Sequence, residues 1–138
     1  MPHKPLTPQS VHPALRVLLP VLTAFSWFIA YSWATITPRE LAGSAVLEVL
    51  DRTPSLDLWA AGTGAGAALM TLALVAHRKA LFTYALAVTL GVYLVMATVS
   101  AVAAWEGLTS SSAWAWPAFV SVASAACIWG LNSREDHA

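Results

Sequence analysis

Histidine, cysteine, carboxylates and a glycine run are the features of this chain with the residue types for chemistry. His3, His12, His77 and His137 are scattered, and none has another histidine four residues away, so their spacing assembles no metal site. The single cysteine, Cys127, excludes a disulfide framework and a thiolate zinc cluster, and its small neighbours read as an apolar packing site. The carboxylates Glu40, Glu48, Asp51, Asp57, Glu106, Glu135 and Asp136 all fall outside the long uncharged stretches, and no Ser/His/Asp arrangement presents itself. Gly62-Thr63-Gly64-Ala65-Gly66 has the Gly-x-Gly spacing of a phosphate-cradling turn. That turn needs a preceding strand and a βαβ unit, whereas this run sits inside an apolar stretch. The reading is a protein that is not an enzyme, with no catalytic residue, no cofactor and no metal.

The elements that carry these residues follow from composition. Of 138 residues, 58% are hydrophobic and 10% charged, with seven basic residues balancing seven acidic ones. Water-soluble domains run at roughly 25% charged, and a chain this short cannot cover its surface in water with so few charges. It is too apolar for disorder, and its net charge of +0 leaves no basic footprint for nucleic acid. Its solvent is the lipid bilayer. Residues 17–36, 58–76, 80–105 and 113–131 form runs with no Asp, Glu, Lys or Arg inside them. A helix needs about 20 such residues to cross roughly 30 Å of hydrocarbon. Two-residue alternation is absent, and the runs are too long for membrane strands.

The expected fold is all-α: a polytopic membrane protein built as an antiparallel bundle of four transmembrane helices. The membrane domain covers 14–131, between a Pro-rich tail (1–13) and a polar tail (132–138). Short turns at 77–79 and 106–112 make spans two, three and four antiparallel neighbours. Pro20 falls in the first turn of span one, where a missing N–H costs little. Span one also has the outline of a signal peptide. Its uncharged stretch exceeds a usual signal core, and Tyr31 and Trp33 crowd a cleavage point at Ala30 and Ser32, so it reads as retained.

Topology comes from the basic residues. Lys4, Arg16, Arg78, Lys79 and Arg134 fall on one side and only Arg39 and Arg52 on the other, which puts both termini in the cytoplasm and the chain in the inner membrane. The tryptophans agree. Trp33, Trp59, Trp105, Trp114 and Trp116 lie at outer ends of spans and Trp129 at an inner end, as an interfacial aromatic belt; Trp27 alone is mid-span.

The longest connection, 37–57, opens Thr37-Pro38-Arg39-Glu40, a capping-box start with proline at the first helical position. An amphipathic helix over 41–51 follows. Leu41, Ala42, Ala45, Val46, Val49 and Leu50 share one face, Glu40, Ser44, Glu48 and Asp51 the other, Leu47 lies off the apolar arc, and Pro54 stops it. This helix lies on the outer membrane surface or packs over the mouth of the bundle. In span two, Gly62 and Gly66 stand four apart on one face, a spacing that lets helix backbones approach closely in lipid. Ala87 and Gly91 in span three, and Ser121 with Ala125 in span four, repeat it more weakly. Thr23, Ser26, Thr71, Thr89, Thr98, Ser100, Ser121 and Ser124 can bond their own helix backbones and so demand no partner.

Trp33-Ala34-Thr35, the helix over 41–51, the Pro54…Trp59 approach and Ser112-Ala113-Trp114-Ala115-Trp116-Pro117 carry a resemblance in layout. The chain resembles the small four-span membrane proteins encoded by actinobacterial phages and their hosts. That resemblance implies a holin-like role: self-association in the inner membrane and its permeabilisation. Holins commonly end in a basic tail, where this chain has Arg134-Glu135-Asp136. Two alternatives stand beside it: an accessory or assembly subunit of a larger membrane complex, and a binder of a lipid or apolar ligand with the outer helix as a lid. The partners expected are the lipid bilayer and either further copies of the chain or a larger complex, not nucleic acid.

Overall fold

The structure, a computed structural model, describes residues 13–52 and 55–133. The Pro-rich tail with His3, Lys4 and His12, the stop expected at Pro54, and Arg134-Glu135-Asp136 with His137 lie outside the described residues. The helices in chain order are α1 (Pro13–Ala34), α2 (Pro38–Ala42), α3 (Ala45–Arg52), α4 (Leu56–Ala76), α5 (Lys79–Trp105) and α6 (Ala115–Ser133), and no β-strand occurs among the described residues. Four of them, α1, α4, α5 and α6, are long and apolar enough to cross a membrane. The chain is a multi-pass integral membrane protein with an all-α, four-span bundle.

Each span packs along its neighbour in sequence, α1 on α4, α4 on α5 and α5 on α6, while α1 and α6 approach each other at few places. Lipid offers no water to expel, so close fit and dispersion must hold these seams. The reversal between α4 and α5 is tight. His77 takes the left-handed conformation (φ 51°), and its N–H donates to the Ala73 carbonyl at 2.9 Å, closing α4 one residue before Arg78 caps α5. At the far end of α5, Gly107 (φ 76°) donates to the Ala104 carbonyl at 3.1 Å and Leu108 to the Ala103 carbonyl at 2.9 Å. These two bonds form a Schellman stop, and glycine takes the required φ without strain. With 27 residues, α5 is about 40 Å long at 1.5 Å per residue, longer than the hydrocarbon is thick. Its last turns therefore stand beyond the other spans' apolar reach, and α3 packs there against α4 and α5.

The structure corrects the sequence reading in three places. First, α1 begins at Pro13, so Pro20 lies inside the helix and not in its first turn. Proline has no N–H, so the Arg16 carbonyl loses its helical donor there, and the Pro20 ring is exposed. Second, α6 starts at Ala115 instead of 113, after a turn in which the Trp114 Nε1–H donates to the Ser111 carbonyl at 2.9 Å. Pro117 then sits in the first turn of α6, where an amide donor has no use.

Third, the single helix expected over 41–51 is broken. The capping box forms as read: Thr37 Oγ1 accepts from the Glu40 N–H at 3.3 Å, and Glu40 Oε2 accepts from the Thr37 N–H at 3.1 Å. But α2 ends at Ala42, the Gly43 N–H closes onto the Glu40 carbonyl at 3.2 Å, and Ser44 Oγ accepts from the Leu47 N–H at 3.3 Å to start α3. Glycine is a weak helix former and serine a strong N-cap, so the pair ends one helix and opens another. The break re-phases the wheel. Ala42 and Ala45, expected on the apolar face, are exposed, while Leu47 packs against the core with Leu41 and Val46.

Candidate functional site

The glycine run of α4 serves two seams. A Cβ on Gly66 would stand 2.9 Å from Thr89 Oγ1 of α5, and one on Gly62 would stand 3.4 Å from the Val92 side chain of the same helix. Gly64 turns the other way, 3.6 Å from the Ala30 Cβ of α1 by the same measure. Glycine thus lets α4 sit close to both neighbours at once. The Thr89 hydroxyl cannot swing aside freely, because it donates to the Ala85 carbonyl at 2.9 Å. Ser121 is buried on α6 and donates to the Pro117 carbonyl at 2.9 Å. Ala87, Gly91 and Ala125 of the weaker small-residue pairs are exposed in the single chain, and a Cβ on Gly91 would meet nothing within 4 Å. They turn away from the bundle because the inward rows of their helices are taken by Leu86, Thr89 and Tyr93 on α5 and Ser124 and Cys127 on α6.

Gly91 does meet Gly62 across one feature. Leu58, Trp59 and Gly62 of α4, with Gly91, Val92 and Val95 of α5, line an open apolar groove of about 320 Å³ on the outer face of the α4–α5 seam. The two glycines supply its width, since neither side chain fills the space between the helices.

The opposite side of the bundle is filled rather than emptied. Trp116 of α6 stands edge-on to Phe25 (6.1 Å between ring centroids) and Trp33 (6.2 Å) of α1 and to Tyr93 of α5 (6.1 Å), and Phe25 lies 6.4 Å from Tyr93. These separations and tilts are those aromatic pairs prefer. The bulk of four rings keeps the α1 and α6 backbones apart. Three of the tryptophans at outer helix ends pack inward: Trp33 and Trp59 are buried, and Trp116 is half-buried in the ring cluster. Their indoles fill internal space that small residues leave open elsewhere. Trp105 (91% exposed), Trp114 and Trp129 face outward at helix ends.

Buried hydroxyls mostly bond their own helices. Thr23, Ser121 and Ser124, like Thr89, each donate to the carbonyl four residues back, as do the exposed Thr71 and Thr98. Ser26 does not; its Oγ lies 3.4 Å from the Tyr93 hydroxyl across the bundle. Mid-span Trp27 donates through Nε1 to Thr71 Oγ1 at 2.9 Å, tying α1 to α4. No buried side-chain nitrogen or oxygen among the described residues lacks a partner. Among those residues, no group of three or more His, Cys, Asp or Glu side chains comes together in a way that holds a metal ion.

At the α3 end, sequence reasoning missed a built contact. The buried Trp59 Nε1–H donates to the Leu50 carbonyl at 3.0 Å, and Asp51 Oδ1 accepts from the Leu56 N–H at 3.2 Å. Leu50 is fully buried (0% exposed) against the core that Leu56 and Trp59 help to form. Asp51 read as part of a solvated face, and Trp59 as a belt residue; only the fold brings the two to one joint. No protein family, curated protein or solved structure matches this chain.

Proposed function

We propose that this chain is a non-enzymatic membrane protein that works by associating with copies of itself, and that the association permeabilises the bilayer, the holin-like role implied by its resemblance to small four-span membrane proteins of actinobacterial phages and their hosts. The α4–α5 groove carries the reading: Gly62 and Gly91 widen an apolar groove between Leu58 and Val95, and at Gly91 nothing stands within 4 Å to bar close approach by a further helix. A second copy presents the same row, so the contact is self-complementary about a two-fold axis. No Asp, Glu, Lys or Arg of the described residues is buried, so packing and not charge handling is what the interior offers. The same reading places the chain in the inner membrane with its termini in the cytoplasm, since Arg16, Arg78 and Lys79 fall at one end of the spans and Glu40, Glu48, Asp51, Asp57 and Glu106 at the other.

Induced expression in a bacterium tests it. The wild type should give cross-linked dimers in isolated membranes, leak potassium and stop growth. Gly91→Leu should sharply lower all three while leaving the thermal stability of the monomer unchanged, because nothing lies within 4 Å of the added Cβ and the groove beside it is open. A chain that stays monomeric and harmless at every expression level overturns the reading. A stoichiometric partner co-extracted in mild detergent would make the chain an accessory subunit instead. The apolar lining of the groove favours one further reading, a lipid or other apolar ligand held between α4 and α5.

A further inference from the structure

The α3 segment is built as a separate unit. It has its own N-cap at Ser44, it follows a break at Gly43, and the α2 helix before it buries none of its residues. Val46, Leu47 and Val49 are only half-buried, and Leu50 alone is fully enclosed. Hydrogen bonds among the described residues fasten the unit to α4: the Trp59 Nε1–H to the Leu50 carbonyl, and the Leu56 N–H to the Asp51 carboxylate. An eight-residue helix with an apolar face and a charged one has a second place to put that apolar face, the adjoining bilayer surface.

We propose that α3 is a hinged plug, docked by Leu50 on the α4–α5 end of the bundle and latched by Trp59, which undocks as a unit about Gly43-Ser44 and lays its apolar face on the membrane. The latch suits that task. The indole N–H grips a backbone carbonyl of α3, so releasing it frees α3, and Leu50 is the one fully buried side chain that α3 withdraws from the core. Docked, α3 covers Leu50, Leu56 and Trp59; undocked, it uncovers the ends of α4 and α5 that it packs on. The proposal rests on the chain being membrane-embedded and is independent of whether copies associate.

Hydrogen exchange on the full-length protein in nanodiscs of phosphatidylcholine and phosphatidylglycerol tests it. Trp59→Phe keeps most of the ring and removes the donor. Amide exchange across residues 46–52 should rise roughly fivefold, the worth of one ordinary hydrogen bond, with the amides of α5 and α6 unchanged. Asp51→Ala should act in the same direction and Asp51→Asn, which keeps the acceptor, much less; this pair decides the matter if the Trp59 variant does not fold. A fluorophore on Val49→Cys should report a more apolar surrounding in Trp59→Phe than in the wild-type background. Unchanged exchange, or a rise shared by α5 and α6, overturns the proposal. So does a fluorophore that moves into water when the latch is lost.

Discussion

The α4–α5 seam and the α1–α6 seam, on opposite sides of one bundle, join their helices by opposite means. Between α4 and α5 the protein removes side chains: Gly66 meets Thr89 and Gly62 meets Val92, so the backbones draw together. Between α1 and α6 it adds them: Phe25, Trp33 and Trp116 fill a gap that the backbones do not close. In water either arrangement would be driven by expelling solvent. In lipid that drive is absent, and what remains is the number of atoms in good contact. A close seam achieves this with backbone, a wide seam with rings, and the two should fail differently when altered.

The largest effect is expected at Gly66. Even a methyl group would stand 2.9 Å from Thr89 Oγ1, a separation that forces Thr89 off its bond to Ala85. Gly66→Leu adds far more and has to push α5 away along several turns. Overpacking of this kind should cost about 3 kcal/mol, read as a large drop in thermal midpoint in detergent. Unchanged stability would mean that α4 and α5 are not held by close approach at this point.

Trp116→Ala should come second. Truncating a tryptophan in a water-soluble core costs roughly 3–5 kcal/mol, part of it from returning apolar surface to water. Trp116 is half-buried and its alternative surrounding is lipid, so the cavity and contact losses remain while the transfer loss falls away. About 2 kcal/mol is the expected loss. It should be accompanied by a wider distance distribution between spin labels on α1 and α6 and an unaltered one between labels on α4 and α5. A loss confined to the α4–α5 pair would break the contrast between the seams.

The difference between seams also marks where sequence was informative. Uncharged length was enough for the four spans, because burying a charge in lipid costs so much that its absence is visible in any window of about 20 residues. Gly62 and Gly66 were legible for the same reason that they pack, since spacing four apart puts them on one face. The inward packing of Trp33, Trp59 and Trp116 was not legible, because a tryptophan at a helix end fits an interfacial belt and an internal filler equally well. Only the neighbour decides, and Phe25 and Tyr93 lie on helices far apart in sequence. Likewise Ser44 has the same side chain on a polar face as at a cap. Its role was decided by Gly43 beside it, a local competition that helical periodicity does not register. The joint between Asp51, Leu56, Leu50 and Trp59 carries no spacing signature at all, since it depends on how the chain returns after α3.

The smallest effect concerns the hydroxyl pair between α1 and α5, beside the rings of the wide seam. Ser26 Oγ and Tyr93 Oη lie 3.4 Å apart, long for a hydroxyl pair, and both are buried. If rings hold this side of the bundle, Tyr93→Phe should cost no more than about 0.6 kcal/mol, the average for a polar contact between membrane helices. The serine left behind has a fallback: turning its side chain lets it donate to the carbonyl four residues earlier, at Leu22, as its neighbour Thr23 does to Leu19. Tyrosine has no such fallback, because its hydroxyl is too far from its own backbone. Ser26→Ala should therefore cost more than Tyr93→Phe, about 1–2 kcal/mol, by leaving a buried phenol without a partner. Thermal unfolding of the two variants side by side checks the order. A reversed order would show that the phenol finds another acceptor in the aromatic cluster, and a cost above 2 kcal/mol for Tyr93→Phe would show that the hydroxyls, not the rings, hold α1 to α5.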